Sequence, residues 1–180
     1  LQSEEEGNRE VSSFILPNSS FREAHLRLYE HLKQSAPEQP DNLNDMMPLY
    51  HAVAHGCKAG LHGDVFSSVV AQRIHRREQG FSLHKLGAYG TELSALSAFF
   101  EHRWTRLSPS LTLTHWHETL FGVTGFCLRG LGRLRDTSDL MLRSLRLALD
   151  AGNIRGASVE ASNLSELSLT LGDVSSAVGQ

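Results

Sequence analysis

Residues 127–145, CLRGLGRLRDTSDLMLRSL, and residues 167–180, LSLTLGDVSSAVGQ, align on Gly132 and Gly172, forty residues apart. Leu131 and Leu171 precede the two glycines, Leu134 and Val174 stand two places after them, and the small Thr137 and Ala177 stand five after. Seven places before them are Gly125 and Ser165, also small. A glycine just past a helix end takes the left-handed conformation without a Cβ penalty. Small residues at matched distances on both sides of it let two antiparallel helices approach closely across a tight turn. A fixed period of this length is the mark of stacked helical hairpins, each burying its apolar face against the next.

Upstream of this pair the same grammar continues. From Leu43 onward apolar residues recur at helical spacing, which predicts helices over 43–60, 63–79, 84–101, 113–131, 134–151 and 154–171, with a further start from 173. The breaks GLHGD (60–64), EQGFS (78–82), GLGRL (130–134), DAGN (150–153) and TLGD (170–173) all contain Gly, and RLSPS (106–110) contains Pro. Short breaks imply antiparallel neighbours. LTLTHWH (111–117) alternates, but it is short and follows Pro109, so it reads as a loop entering a helix. PLYHAVAHGCKAGLHGD (48–64) is a degenerate earlier copy. HGDV at 62–65 matches LGDV at 171–174 and would make Gly63 the turn. Gly60 is the better turn, because it places Leu49, Ala52, Val53 and Val65 on the packing surface.

The first part of the chain differs. Residues 1–45 carry nine acidic and four basic residues, whereas residues 46–180 carry eleven and thirteen. One helix is expected over 14–34, with Ser19 or Ser20 as N-cap and an apolar stripe of Phe21, Leu28 and Leu32 joined by Ala24 and Tyr29. SAPEQPDNLND (35–45) holds two prolines and reads as a linker. The expected organisation is an acidic, partly flexible lead-in over 1–42 and helical repeats over 43–180. The repeats stop inside a helix pattern, so the chain reads as a piece of a longer protein. Helix 154–171 would then offer Ile154, Ala157, Ala161, Leu164 and Leu171 to a missing neighbour, and self-association through that end is expected.

Composition excludes several classes. Neither half has the basic stripe of a nucleic-acid binder. No apolar run approaches a membrane span, and no signal peptide opens the chain. Cys57 and Cys127 are far apart with no CxxC, and read as buried free thiols in a reducing, cytoplasmic setting.

The histidines carry the sharpest chemical signal. On a helix His51, His55 and His62, with Lys58 between them, form one stripe, and HxxxH suits a metal. Cys57 points away from that side, HAVAH contains no glutamate to act as a base, and His62 lies past the glycine that ends the helix. A histidine stripe lining a groove or edging the core fits better than a metal site. Adjacent helix positions diverge by about 100°, so His115 and His117 point apart, and Trp116 reads as packed at a helix start. GxSxG and GxxxxGK[ST] are both absent. RIHRRE (73–78) and Arg129, Arg133, Arg135, Arg143 and Arg146 read as solvated helix faces. No catalytic, cofactor or metal-ligating residue is expected, and no cofactor.

LGRL (131–134) and NLSEL…LGD…A, from Asn163 to Ala177, resemble tetratricopeptide repeats in a longer, roughly forty-residue form. FREAHLRLYEHLKQSAPEQPDNLNDMMPLYHAVAHGCKAGLH (21–62), HKLGAYGTELSALSAFF (84–100) and GFCLRGLGRL (125–134), with these, resemble the helical region of bacterial STAND-type signalling ATPases, relatives of NB-ARC and NACHT proteins. The resemblance implies an all-α fold of antiparallel helical hairpins stacked as a tetratricopeptide-like right-handed solenoid. It implies a non-catalytic sensor or protein-interaction region, with a nucleotide-binding domain upstream as one partner and a protein or peptide ligand as the other. It also implies that the first helix of each hairpin lines a groove. His51, Val123 and Asn163, nine residues before Gly60, Gly132 and Gly172, hold that position. The candidate groove contacts are His51, His55, Lys58, Arg129, Asn163 and Glu166. The alternatives are a metal-dependent enzyme built on His51 and His55, and a structural spacer.

Overall fold

The computed structural model describes residues 18–112 and 114–178, and most of them are helical. Helices α1 (Asn18–Ser35) and α2 (Leu43–Lys58) form an antiparallel pair. The Asn42 carboxamide caps α2: its oxygen accepts from the Asp45 N–H at 3.0 Å and its nitrogen donates to the Asp45 carboxylate at 2.8 Å. The short α3 (His62–Asp64) runs directly into a π-helical stretch (Val65–Ile74), which packs against α2. Two short helices follow, α4 (Phe81–His84) and α5 (Tyr89–Leu96), and then a small antiparallel hairpin, β1 (Phe100–His102) with β2 (Arg106–Leu107). Four more helices complete the chain: α6 (His115–Gly130), α7 (Leu134–Asp150), α8 (Ile154–Thr170) and α9 (Val174–Val178). Each of these packs on the next in sequence.

The main core runs from Tyr29 through α2, the π-helical stretch and α5 to Leu120, Leu128 and Leu140. Met141, Leu164 and Leu167 form a second cluster between α7 and α8. Gly125 lies against Met141 of α7, and Ser165 donates from its hydroxyl to the Ala177 carbonyl of α9 at 2.7 Å. The small residue seven places before each turn glycine thus packs on the second helix of its hairpin, at different positions in the two copies, and Thr137 and Ala177 are both buried.

Four helix ends share one hydrogen-bond pattern. At Gly60, Gly132, Gly152 and Gly172, φ is +85°, +73°, +68° and +81°. Each of these glycines donates to the carbonyl three residues back, and the following residue donates five back: Leu61 to Gly56, Arg133 to Leu128, Asn153 to Ala148, Asp173 to Ser168. This left-handed termination satisfies carbonyls that a helix end leaves open. Gly60 is the turn; Gly63 lies inside α3.

The structure departs from sequence expectation in five places. The helix expected over 84–101 is divided, because Gly87 takes φ +61° after α4, and its last residues enter the hairpin, where Trp104 takes φ +61°. Phe100, Trp104 and Phe121 pack there, a tertiary contact that helical periodicity does not contain. The helix expected over 63–79 ends at Ile74. The two-proline linker does not hold α1 apart: Tyr29 is fully buried, and α1 packs along α2. Within RIHRRE, Arg73 and Arg76 are not solvated, although Arg77 is exposed. The Arg73 guanidinium is buried and donates to the carbonyls of Lys33, Ala36, Pro37 and Glu38 at 2.7–3.3 Å. Arg76 donates to the Pro40 carbonyl and to Asp41, and stacks on Phe81. The carbonyls at the end of α1 need donors, and these arginines supply them. Of the α8 residues expected to lack a cover, Ala157 and Leu164 are buried, whereas Ile154 and Leu171 are exposed.

Candidate binding cleft

Each of α6 and α8 places one glutamate and one glycine four residues apart on a single face: Glu118 and Gly122, Gly156 and Glu160. The order is reversed between them. The Glu160 side chain lies over Gly122, and the Glu118 side chain lies over Gly156, each where a Cβ would stand. Pairing of 118 with 156, 122 with 160 and 129 with 166 in rising order shows that α6 and α8 run in the same direction. The α7 helix lies antiparallel to α6, and Ser144 donates to the Glu118 carbonyl at 2.9 Å.

Beside this crossing is an open cleft of about 380 Å³. Leu83, Val123, Phe126 and Val159 give it apolar walls, and Thr119, Glu160, Asn163, Arg77, His75 and His84 give it polar ones. Its size is near the lower end of small-ligand pockets, room for a side chain or two. Glu160 is 8% exposed, and its Oε2 is buried without a hydrogen-bond partner among the described residues. Burial holds its carboxyl up at about 7; a hydrogen bond from Ser144 opposes the rise, Glu118 adds to it, and Asn163 opposes it least. Behind the wall, His75 pairs with the buried carboxylate of Glu92. The Tyr50 hydroxyl is held well above its ordinary range, by burial and then by Glu92.

The six residues singled out in the sequence fall into two separate groups. On the far side of the fold, His51 and Lys58 are exposed on α2, and His55 is half-buried against α1, its Nδ1 2.7 Å from Nδ1 of His25. His62 is not part of their stripe: Gly60 ends the helix, and His62 turns into the core 6.0 Å from the Phe99 ring. None of these histidines lines the cleft. In the other group, Arg129 of α6 pairs with Glu166 of α8, and Asn163 stands on the cleft wall opposite Val123. Val123 and Asn163, matched positions in the forty-residue register, thus share one cleft; His51 does not reach it. Glu118 and Glu160 were not anticipated. Their signal was E-T-L-F-G (118–122) set against G-A-S-V-E (156–160), offset by nearly the repeat period.

Among the described residues no group of three or more His, Cys, Asp or Glu is placed to hold a metal ion. No described helix is long and apolar enough to cross a membrane. Cys57 and Cys127 are buried and unpaired, and burial pushes both thiols above their ordinary range. His115 begins α6, with Trp116 packed 4.9 Å from Phe66 and His117 bonded to the Leu111 carbonyl at 3.1 Å. Comparison with protein families, with curated proteins and with solved structures gives no match.

Proposed function

We propose that this chain is a non-catalytic, protein-binding helical-repeat region whose ligand is a peptide segment of a partner protein. Its α6–α9 hairpins are read as tetratricopeptide-like repeats, and the cleft between α6 and α8 as part of their ligand face. The observation that carries this reading is the meeting of Val123 and Asn163, the same register position on two parallel helices, in one open cleft. An amide that can donate and accept beside apolar walls suits a peptide backbone and its side chains. The resemblance to STAND signalling ATPases supports a sensor role within a larger cytoplasmic protein, with an upstream nucleotide-binding domain as second partner. The histidine face of α2 gives an enzyme less support, since His55 is engaged by His25.

Selection of displayed random-sequence peptides against the purified chain tests the reading. Enriched peptides should bind in solution and lose binding in Asn163→Ala and Val123→Glu, with the helical circular dichroism unchanged. No enrichment, or binding indifferent to both substitutions, overturns it.

A further inference from the structure

The cleft has a chemical preference that its shape alone does not give. Glu160 lies more than nine-tenths buried on its wall, with Oε2 unpartnered, and Glu118 stands one helical turn away on the facing helix. A buried carboxylate oxygen without a donor costs free energy that an incoming donor recovers. We propose that the cleft takes a cationic side chain, the alkylammonium or guanidinium of a lysine or arginine, which donates to Glu160 while its aliphatic stem packs on Val123 and Val159.

This inference deepens the peptide-binding reading and rests on it. Glu118 faces Glu160 from α6, and α7 contributes only the neutral Ser144. Arg77 and His84 also line the cleft, and His75 is engaged by Glu92. Among the described residues, two carboxylates near the helix crossing thus meet one permanent cation on the cleft lining, Arg77. Stems of lysine and arginine cover apolar surface while their heads stay polar, which suits a cleft with apolar walls and the Glu160 carboxyl on its lining. The proton is a competitor: Glu160 binds a cation only when ionised, so affinity rises with pH toward and beyond about 7.

The experiment uses the whole chain, labelled with nitrogen-15, and n-butylammonium, n-butanol and butyrate as probes. Butylammonium is expected to shift the amide signals of Thr119, Val123, Val159 and Asn163 saturably. Butanol, which lacks the charge, should bind at least about tenfold more weakly. Glu160→Gln should cost butylammonium at least about tenfold, and Glu118→Gln should cost it less. Below the carboxyl's midpoint, affinity should fall about tenfold for each pH unit, and Glu160→Gln should remove that slope. Equal binding of butylammonium to wild type and Glu160→Gln, tighter binding of butyrate, or no shift in the cleft overturns the proposal. Selected peptides that lack lysine and arginine yet still require Val123 and Asn163 would overturn it while leaving the peptide-binding reading in place. Butylammonium binding with no peptide selected would do the reverse.

Discussion

Glu160 of α8 occupies the space that a side chain on Gly122 of α6 would need. The two helices can cross this closely only because one offers no Cβ, and the mirror contact of Glu118 with Gly156 fixes the register. Gly122→Ala should therefore push the carboxylate out of its seat and destabilise the fold by about 1–3 kcal/mol, the range for overpacking. In urea denaturation, the double variant Gly122→Ala with Glu160→Ala should recover much of that loss, because the clash has lost one partner. Additive losses would mean that Gly122 is restricted by something other than Glu160.

Stability should fall as pH rises through neutrality, in part because of Glu160. Its carboxyl ionises near the ordinary 4.5 in the unfolded chain and at about 7 in the folded one. The folded state thus holds an extra proton between those values, and the stabilisation is full below about 4.5 and lost as pH passes about 7. Glu160→Gln, which is permanently neutral, should flatten this slope in denaturation midpoints taken across the interval. An unchanged slope would place the titrating group elsewhere.

The His25–His55 contact should act in the opposite direction. Two ring nitrogens 2.7 Å apart require one to accept, so at least one ring is neutral. Burial and the nearby Lys58 hold His25 below the ordinary 6.5; burial, His25, Lys58 and His51 hold His55 there. A lowered folded value gives stability that is present above 6.5 and lost as pH falls below it. Hydrogen exchange should show α1 loosening on mild acidification while α6 holds. His25→Asn should abolish the effect, and equal loosening in that variant would exclude the pair as its source.

Arg73→Ala should be among the most damaging single changes. The substitution leaves the carbonyls of Lys33, Ala36 and Pro37 without their donor at the end of α1, at a cost of about 2–4 kcal/mol. Arg73→Lys, with one point charge in place of a planar fork, should recover only part of it. Thermal melts that barely move in either variant would show that water replaces the guanidinium freely.

Gly132→Val should destabilise by roughly 1–3 kcal/mol through backbone strain alone, since a Cβ there meets nothing within 4 Å while φ is +73°. Gly132→Asn should cost less, because asparagine tolerates the left-handed region. Equal losses for valine and asparagine in chemical denaturation would argue against conformational strain.

Much of the helical part was legible in the chain itself. Periodic apolar residues and terminal glycines act locally, within one or two turns, so α2, α6, α7, α8 and the start of α9 begin and end within a few residues of where their patterns do. The matched small residues Gly125 and Ser165 foretold close antiparallel packing for the same reason: a missing side chain is itself a local fact. What the sequence could not decide was which long-range neighbour each polar group would find. Arg73 and Arg76 look like solvated charges until the carbonyls of residues 33–40 lie beside them. His51, His55 and His62 look like one stripe until Gly60 turns the chain and α1 covers His55. Glu118 and Glu160 look like ordinary helix-surface acids until α6 and α8 lie parallel and each finds the other's glycine. Burial depends on segments far apart in sequence, and the cost of a buried charge exists only once those segments have met. The helices were therefore set by local chemistry, and the cleft with its buried glutamate by tertiary packing.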